Sequence, residues 1–142
     1  MLVVYVFINL KPRMTSNQKK GDIHTMKTTI THAAIIFADV PCSEFNIHQH
    51  HGFHPYLVLS NQKACLHSPV LQVIPMSSNT NRRLPVQVEV HADCFSRRTF
   101  ALAEQLTLLP REILEQGKYC GQLSEESMAR VRQAIKLQLS LD

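Results

Sequence analysis

The chain has 142 residues, a length that suits one domain with a real hydrophobic core and is too short for two. Hydrophobic residues make up 44% of it and charged residues 18%, which is typical of a soluble globular protein and excludes a disordered chain. The formal net charge of +4 permits a polyanionic partner such as RNA or DNA but does not require one.

The N-terminal part differs from the rest of the chain. Residues 2–10 are apolar, but they are too few to cross a bilayer and lack the flanks of a signal peptide. We therefore expect no membrane contact and a cytoplasmic location. The residues KKGD at 19–22 can be encoded by a purine run that resembles a bacterial ribosome-binding site ahead of Met26. We expect residues 1–32 to be an extension, with translation starting at Met26, and residues 33–142 to form the domain.

The four cysteines are Cys42, Cys65, Cys94 and Cys120, and they form no C-x-x-C pair. Their wide spacing is unlike that of a zinc site or a thioredoxin-like motif. In a reducing cytoplasm, free and buried thiols are the expected state.

Three apolar, β-rich runs in the first half of the domain predict strands. The polar segments 42–54 and 77–83 that separate or follow these runs predict loops. The runs are AAIIFADV at 33–40, YLVLS at 56–60 and VLQVIPM at 70–76, with a break at Pro75.

Two further segments alternate between apolar and polar residues. The valines of 86–90, VQVEV, face one side, which indicates a half-buried strand with one wet face. The pattern repeats at 99–104, where Phe100 and Leu102 are expected to point inward.

The C-terminal segment predicts helices. Proline at its first position favours a short helical turn at 110–114. Ser124 is the predicted N-cap of the last helix, with Glu125 and Glu126 at the positive end of its dipole. The sequence thus predicts an α+β fold, a small barrel-like sheet of about five mostly antiparallel strands closed by a C-terminal helix. The expected core stripe of that helix is Met128, Val131, Ile135 and Leu139.

The segment HQHHGFHP at 48–55 contains four histidines, His48, His50, His51 and His54. Four histidines in one loop can capture zinc, yet no cysteine or carboxylate lies at ligand spacing nearby. A solvated polar loop is the alternative interpretation. We expect neither a native metal nor any other cofactor.

Four short motifs follow one another along the domain: GFHP at 52–55, PMS at 75–77, EQ at 104–105 and GQLS at 121–124. Their order and spacing resemble the MazF/PemK family of toxins from bacterial toxin–antitoxin pairs. In that family a Glu-Gln-x-Gly-x-Arg-Pro loop, a Pro-x-Thr turn, an Asp-Gln pair and a Gly-x-Leu-Ser/Ala segment occupy these places. The resemblance covers residues 33–141.

This resemblance implies a homodimeric SH3-like barrel of the CcdB/PemK type that cleaves single-stranded mRNA without a metal. In such enzymes the ribose 2′-hydroxyl attacks the adjacent phosphorus, which leaves a 2′,3′-cyclic phosphate and a 5′-hydroxyl end. The resemblance also implies a cognate antitoxin that covers the RNA groove and holds the toxin in check.

The chain departs from the family at the positions that carry catalysis. His54 stands at the arginine position, Gln49 at the glutamate position and Ser77 at the threonine position. Ser77 keeps a hydroxyl donor, whereas Gln49 has lost a possible base. His54 exchanges a permanent charge for a group that titrates near neutrality. We predict catalytic roles for these three residues, with His54 as phosphate ligand or acid.

Residues close to these motifs are candidates for contacts with RNA. An aromatic ring beside the histidine suits stacking on an unpaired base. Two pairs of arginines suit the phosphate backbone, although a solvated surface is the alternative for each pair. The predicted RNA-binding residues are Phe53, Ser78, Arg82, Arg83, Arg97 and Arg98.

The sequence also allows a function of another class. A toxin-fold binding module with little nuclease activity would act through a protein partner, as a gyrase-poisoning relative on the same fold does.

Overall fold

A computed structural model describes residues 26–44, 51–79 and 84–142 of the chain. The strands are β1 (Ala34–Val40), β2 (Gly52–Val58), β3 (Val70–Ser77), β4 (Gln87–Val90), β5 (Thr99–Leu102), β6 (Thr107–Pro110) and β7 (Lys118–Gln122). The helices are α1 (Gln62–His67), α2 (Arg111–Glu115) and α3 (Glu125–Leu139), with a short 3-10 helix at Ala103–Gln105.

The strands form one antiparallel sheet, so the α+β class predicted from the sequence is confirmed. The order of hydrogen-bonded strands is β4-β5-β3-β2-β1-β7, and β6 pairs with β3 beside this path. Among the described residues, β4 and β7 do not pair, so hydrogen bonds do not close the sheet into a complete barrel.

Most of β1, residues 56–58 of β2 and residues 73–76 of β3 are buried on both faces of the sheet. In β1, Ile35 packs into a core cluster with Met128 and Val131 of α3, whereas Ile36 belongs to a second cluster with Leu114 of α2. Successive side chains of a strand point to opposite faces, so neighbouring residues of β1 enter different cores. The continuous apolar run of the sequence reflects this two-sided burial.

Strand β2 begins earlier than predicted. The expected start was Tyr56, but the strand runs from Gly52 because its first residues pair with the end of β1, from Val40↔Gly52 onward. His54 therefore lies within a strand, opposite Ala38, and not in the preceding loop.

Strand β3 passes through Pro75 without the predicted break. Residues 70–73 pair with β6 on one side, and Met76 and Ser77 pair with β5. Pro75 lies between these two sets, at the point where the strand paired with β3 changes from β6 to β5. A proline, which donates no ladder hydrogen bond, is tolerated at such a site.

Several boundaries in the second half differ from the prediction. All four residues of β5 are buried, so the predicted alternation with only Phe100 and Leu102 inward is wrong. Glu104 lies in the 3-10 helix and not in the strand. The elements α1, β6 and β7 were missed because their segments are short and rich in polar or exposed residues.

The last helix confirms the predicted cap and corrects part of the predicted stripe. The Ser124 side chain accepts a hydrogen bond from the Ser127 backbone N–H, as an N-cap should. Met128 and Val131 are buried, but Leu139 is 49% exposed because the helix runs past the edge of the core. None of the helices in the described residues is long and apolar enough to cross a membrane.

Residues 26–32, the described part of the predicted extension, contact the domain. The Thr28 N–H donates to the Glu115 carbonyl at 2.8 Å, and Ile30 is buried in the cluster beneath α2. The boundary at residue 33 and the start at Met26 stay predictions.

Cys94 and Cys120 form a disulfide with their Cα atoms 5.9 Å apart, so the prediction of free thiols is wrong for this pair. Cys94 lies between β4 and β5, and Cys120 lies in β7, at opposite ends of the strand path. The disulfide therefore joins the ends that hydrogen bonds leave open. Cys42 and Cys65 are free, the first exposed and the second buried.

We expect reduction of this disulfide by a dithiol to lower the free energy of unfolding by about 3 kcal/mol, because the open chain regains loop entropy when it unfolds. Urea unfolding of the oxidised and reduced protein measures the difference. The double variant Cys94→Ser/Cys120→Ser should unfold like the reduced protein, and the dithiol should not change its stability. The dithiol should destabilise Cys42→Ser as much as the wild type. Identical oxidised and reduced curves would contradict the prediction.

Candidate active site

A cavity of about 290 Å³ lies beside the last residues of β3. It gathers four of the predicted site residues, which come from β2, from the end of β3 and from the connection between β4 and β5. The lining residues are Phe37, His54, Pro55, Met76, Ser77, Ser78, Asn79, Cys94, Phe95, Ser96, Arg97 and Thr99.

The sheet register brings His54 close to Ser77. Tyr56 of β2 pairs with Pro75 of β3. Because the strands are antiparallel, two more residues along each strand bring His54 level with Ser77, and both line the cavity. Both side chains are half-buried, so each is accessible to a ligand and held by its strand.

Ser77 has an oriented hydroxyl group. Its Oγ accepts a hydrogen bond from the Asn79 backbone N–H at 3.1 Å. A hydroxyl that accepts through one lone pair keeps its own proton for donation. Ser77 can therefore donate a hydrogen bond to an anion in the cavity.

The two neighbouring arginines, Arg97 and Arg98, have different surroundings. Arg97 lines the cavity and is exposed. Arg98 points to Glu89, with two hydrogen bonds of 2.8 Å between guanidinium and carboxylate, and its guanidinium lies 5.6 Å from the Phe100 ring centre. Hydrogen bonding to Glu89 raises the pKa of Arg98. Arg98 thus has a local acidic partner, and its predicted contact with RNA stays a prediction.

Phe53 lies outside this cavity but belongs to the same aromatic group. Its ring stacks on Phe37 with 5.5 Å between ring centres, and Phe37 meets Phe95 edge-on at 6.5 Å. Phe37 lines the cavity, so Phe53 is one ring away from it.

Tyr56 is not a candidate base, although it lies two residues from His54 on the same face of β2. Burial, together with the charge of Asp39, raises the pKa of Tyr56 to about 12. The phenol therefore stays protonated at neutral pH.

The sequence alone did not identify Asn79, Phe95, Ser96 or Thr99 as lining residues. Three of them are small or polar and the fourth is a single phenylalanine, and none belongs to a recognisable motif. The arginine pair at 97–98 was the only signal that the connection between β4 and β5 belongs to the site.

Some predicted residues cannot be placed. Gln49, Arg82 and Arg83, together with His48 and His50, lie outside the described residues. Glu104, from the third motif, accepts a hydrogen bond from the Gln87 side chain at 2.5 Å and does not line the cavity. Within the described residues, no three His, Cys, Asp or Glu side chains are grouped to bind a metal ion.

The antiparallel sheet with its C-terminal helix has the MazF fold. The crystal structure of MazF from Deinococcus radiodurans superimposes with a TM-score of 0.66 at 17% identity, covering 80% of this chain and 99% of that one. The toxin MazF-mt6 from Mycobacterium tuberculosis gives 0.62 at 22% identity, covering 77% and 98%. A mycobacterial endoribonuclease in complex with its cognate antitoxin gives 0.64 at 18% identity, covering 80% and 97%.

The family model described as the PemK-like, MazF-like toxin of type II toxin–antitoxin systems matches residues 31–139. The chain belongs to this family, as the resemblance of its motifs predicted. No curated protein sequence matches it significantly.

Gly52, the first residue of β2, has a backbone conformation whose contribution to stability can be tested. Gly52 has a φ of +79°, where a Cβ is strained even though nothing lies within 4 Å of it. We expect Gly52→Ala to lower the free energy of unfolding by about 1 kcal/mol. Gly121→Ala is the matched control, because Gly121 also has open space and its φ is not in the positive range. Equal losses in urea unfolding of both variants would contradict this assignment.

Proposed function

We propose that this protein is a toxin endoribonuclease that cleaves single-stranded RNA at the cavity containing His54 and Ser77. The observation that carries the proposal is the meeting of these two residues in one cavity, since they stand at the family's arginine and threonine positions. Family membership supports the toxin assignment, and solved proteins with the same fold are described as endoribonucleases.

The proposed reaction is a transesterification that needs no metal. The 2′-oxygen of a ribose attacks the adjacent phosphorus, the bond from phosphorus to the 5′-oxygen breaks, and a cyclic phosphate forms. The leaving oxygen needs a proton, and the crowded phosphate oxygens need donors or positive charge. In this proposal the imidazolium of His54 gives the proton to the 5′-oxygen, and the Ser77 hydroxyl donates a hydrogen bond to the phosphate.

The proton of the 2′-hydroxyl needs another acceptor. Gln49 carries an amide, which can orient that hydroxyl through a hydrogen bond but cannot take its proton. In the proposed step the proton therefore passes to solvent water. The loss of the family's glutamate predicts slower cleavage than in a family member that keeps a carboxylate there.

Arg97 is the proposed source of permanent positive charge. The family arginine is missing at position 54, and histidine is charged only in part near neutral pH. Arg97 lines the same cavity from the connection between β4 and β5. A guanidinium stays charged and can bind two phosphate oxygens, so Arg97 supplies from another element what position 54 has lost.

The proposed assembly is a homodimer that is neutralised by a cognate antitoxin. The solved MazE–MazF complex from Deinococcus radiodurans and the mycobacterial complex with an antitoxin motivate this partner. An acidic or apolar antitoxin segment would complement a cavity that contains Arg97 and aromatic rings.

We expect the purified protein to cleave a long single-stranded RNA in EDTA and to leave 2′,3′-cyclic phosphate ends. His54→Ala and Ser77→Ala should each lose on the order of 10²–10³ in rate, as expected for a lost transition-state donor. His54→Arg keeps a positive charge for the phosphate but is a poor acid, so it should lose less rate than His54→Ala and much of the pH dependence near neutrality. His67→Ala, at the exposed end of α1, is the matched control.

Three outcomes of this experiment would contradict the proposal. Cleavage abolished by EDTA would indicate a metal-dependent reaction. Cleavage that survives both alanine substitutions would place the reaction elsewhere. Growth arrest on expression without any RNA cleavage would favour the protein-binding module of the gyrase-inhibitor type.

The adjacent arginines provide a sharper comparison. We expect Arg97→Ala to slow cleavage by roughly tenfold or more, because a charge-assisted contact to phosphate is worth about 1.5–3 kcal/mol. Arg98→Ala should change the rate much less, since Glu89 already binds that guanidinium. Single-turnover cleavage rates at matched ionic strength measure both. Equal losses, or a larger loss for Arg98→Ala, would refute the assignment of Arg97.

A further inference from the structure

A second cavity of about 400 Å³ lies next to the candidate active site. Phe37 and Cys94 line both cavities, so the two are adjacent. We call it the flanking cavity, and none of its remaining residues belongs to the catalytic set. Its lining residues are Phe37, Phe53, Cys94, Lys118, Tyr119 and Cys120.

Phe53 presents an aromatic surface at this cavity. The ring is 62% exposed, which is unusual for phenylalanine, yet it is stacked on Phe37 with an interplanar angle of 28°. Phe37 is in turn fixed by its edge-on contact with Phe95. The exposed Phe53 ring is therefore held in place by Phe37 and loses little conformational freedom when it binds a flat ligand.

Lys118 supplies positive charge at one end of the cavity. It is the register partner of Phe37 on β7 and is exposed. Within the described part of the chain, no carboxylate lies within salt-bridge distance of its ammonium group. Asp39, the register partner of Phe53, is exposed and does not line the cavity. An anionic group is thus favoured beside Lys118.

We infer that the flanking cavity is a subsite for the nucleotide next to the scissile one, with the base stacked on Phe53 and a phosphate beside Lys118. This inference rests on the proposed function, because it takes single-stranded RNA as the ligand. An exposed ring with an adjacent cation suits an unpaired nucleotide, since every base has a π-face and every nucleotide carries a phosphate. The subsite holds the strand and does not discriminate strongly between bases.

The adjacency of the two cavities and the register of the sheet give the path of the RNA strand. Lys118, Phe37 and Pro55 are successive register partners across β7, β1 and β2 and therefore lie in one row on the same sheet face. This row leads from the flanking cavity to Pro55, which lines the candidate active site beside His54. A single strand that lies along it places successive phosphates at Lys118 and in the cavity of Arg97.

The test is binding of a fluorescent 2′-O-methyl RNA oligonucleotide, which lacks the attacking hydroxyl and stays intact. Phe53→Leu should weaken binding about fivefold or more, as loss of a stacked base predicts. Phe53→Tyr keeps the ring and should bind like the wild type. Lys118→Ala should weaken binding and reduce the salt dependence by about one phosphate contact. Lys136→Ala on α3 and Leu108→Ala on β6 are the matched controls at other exposed positions.

A 2′-O-methyl nucleoside 3′-monophosphate, which lacks the neighbouring nucleotide, distinguishes the flanking subsite from the active site. It fills only the catalytic cavity, so its affinity should not change in the Lys118 and Phe53 variants. Wild-type cleavage combined with variants that bind the longer strand like the controls would overturn the subsite and leave the proposed function standing. Absence of both binding and cleavage in the wild type would overturn both. Unchanged RNA affinity with weakened binding of an acidic antitoxin peptide would assign the surface to the antitoxin and overturn the RNA subsite.

Discussion

The burial of the central strands on both faces is the constraint on which the rest of this structure depends. Strand β1 sends Ile35 toward α3 and Ile36 toward α2, so neither face can be left in water. A shift of one residue in the pairing with β2 would exchange the two faces. The register is therefore strongly specified, and it is this register that brings His54 level with the end of β3.

The candidate active site lies at the end of the paired strands β2 and β3, where the connection between β4 and β5 also lines the cavity. The connection between β4 and β5 supplies Arg97, and the disulfide from Cys94 to Cys120 attaches the same connection to β7. One covalent bond thus joins the two ends of the strand path and forms part of the wall between two cavities. Stability and the shape of the site are coupled through it.

In the proposed mechanism, a family position changes while its chemistry is kept in another form. The family arginine is both a permanent charge and a fork of donors, and histidine replaces neither fully. Here the cavity combines a titratable imidazole at His54, a hydroxyl donor at Ser77 and a permanent charge at Arg97. In the proposed mechanism, proton transfer and charge stabilisation are divided between two residues from different elements. In the proposed subsite, the neighbouring Phe53 adds an aromatic surface that holds the RNA strand during this reaction.

The sequence by itself determined the antiparallel α+β class and the capped last helix, and the resemblance of its short motifs to the MazF/PemK family indicated His54 and Ser77 as the residues to examine. It could do so because apolar periodicity, cap residues and short motifs are local patterns that survive without tertiary context. Only the tertiary structure decided that Cys94 meets Cys120, that Arg97 faces the cavity and that Arg98 faces Glu89 instead. Each of these depends on how distant strands pair and on the direction of one side chain. The sequence of two neighbouring arginines does not show in which direction each side chain points.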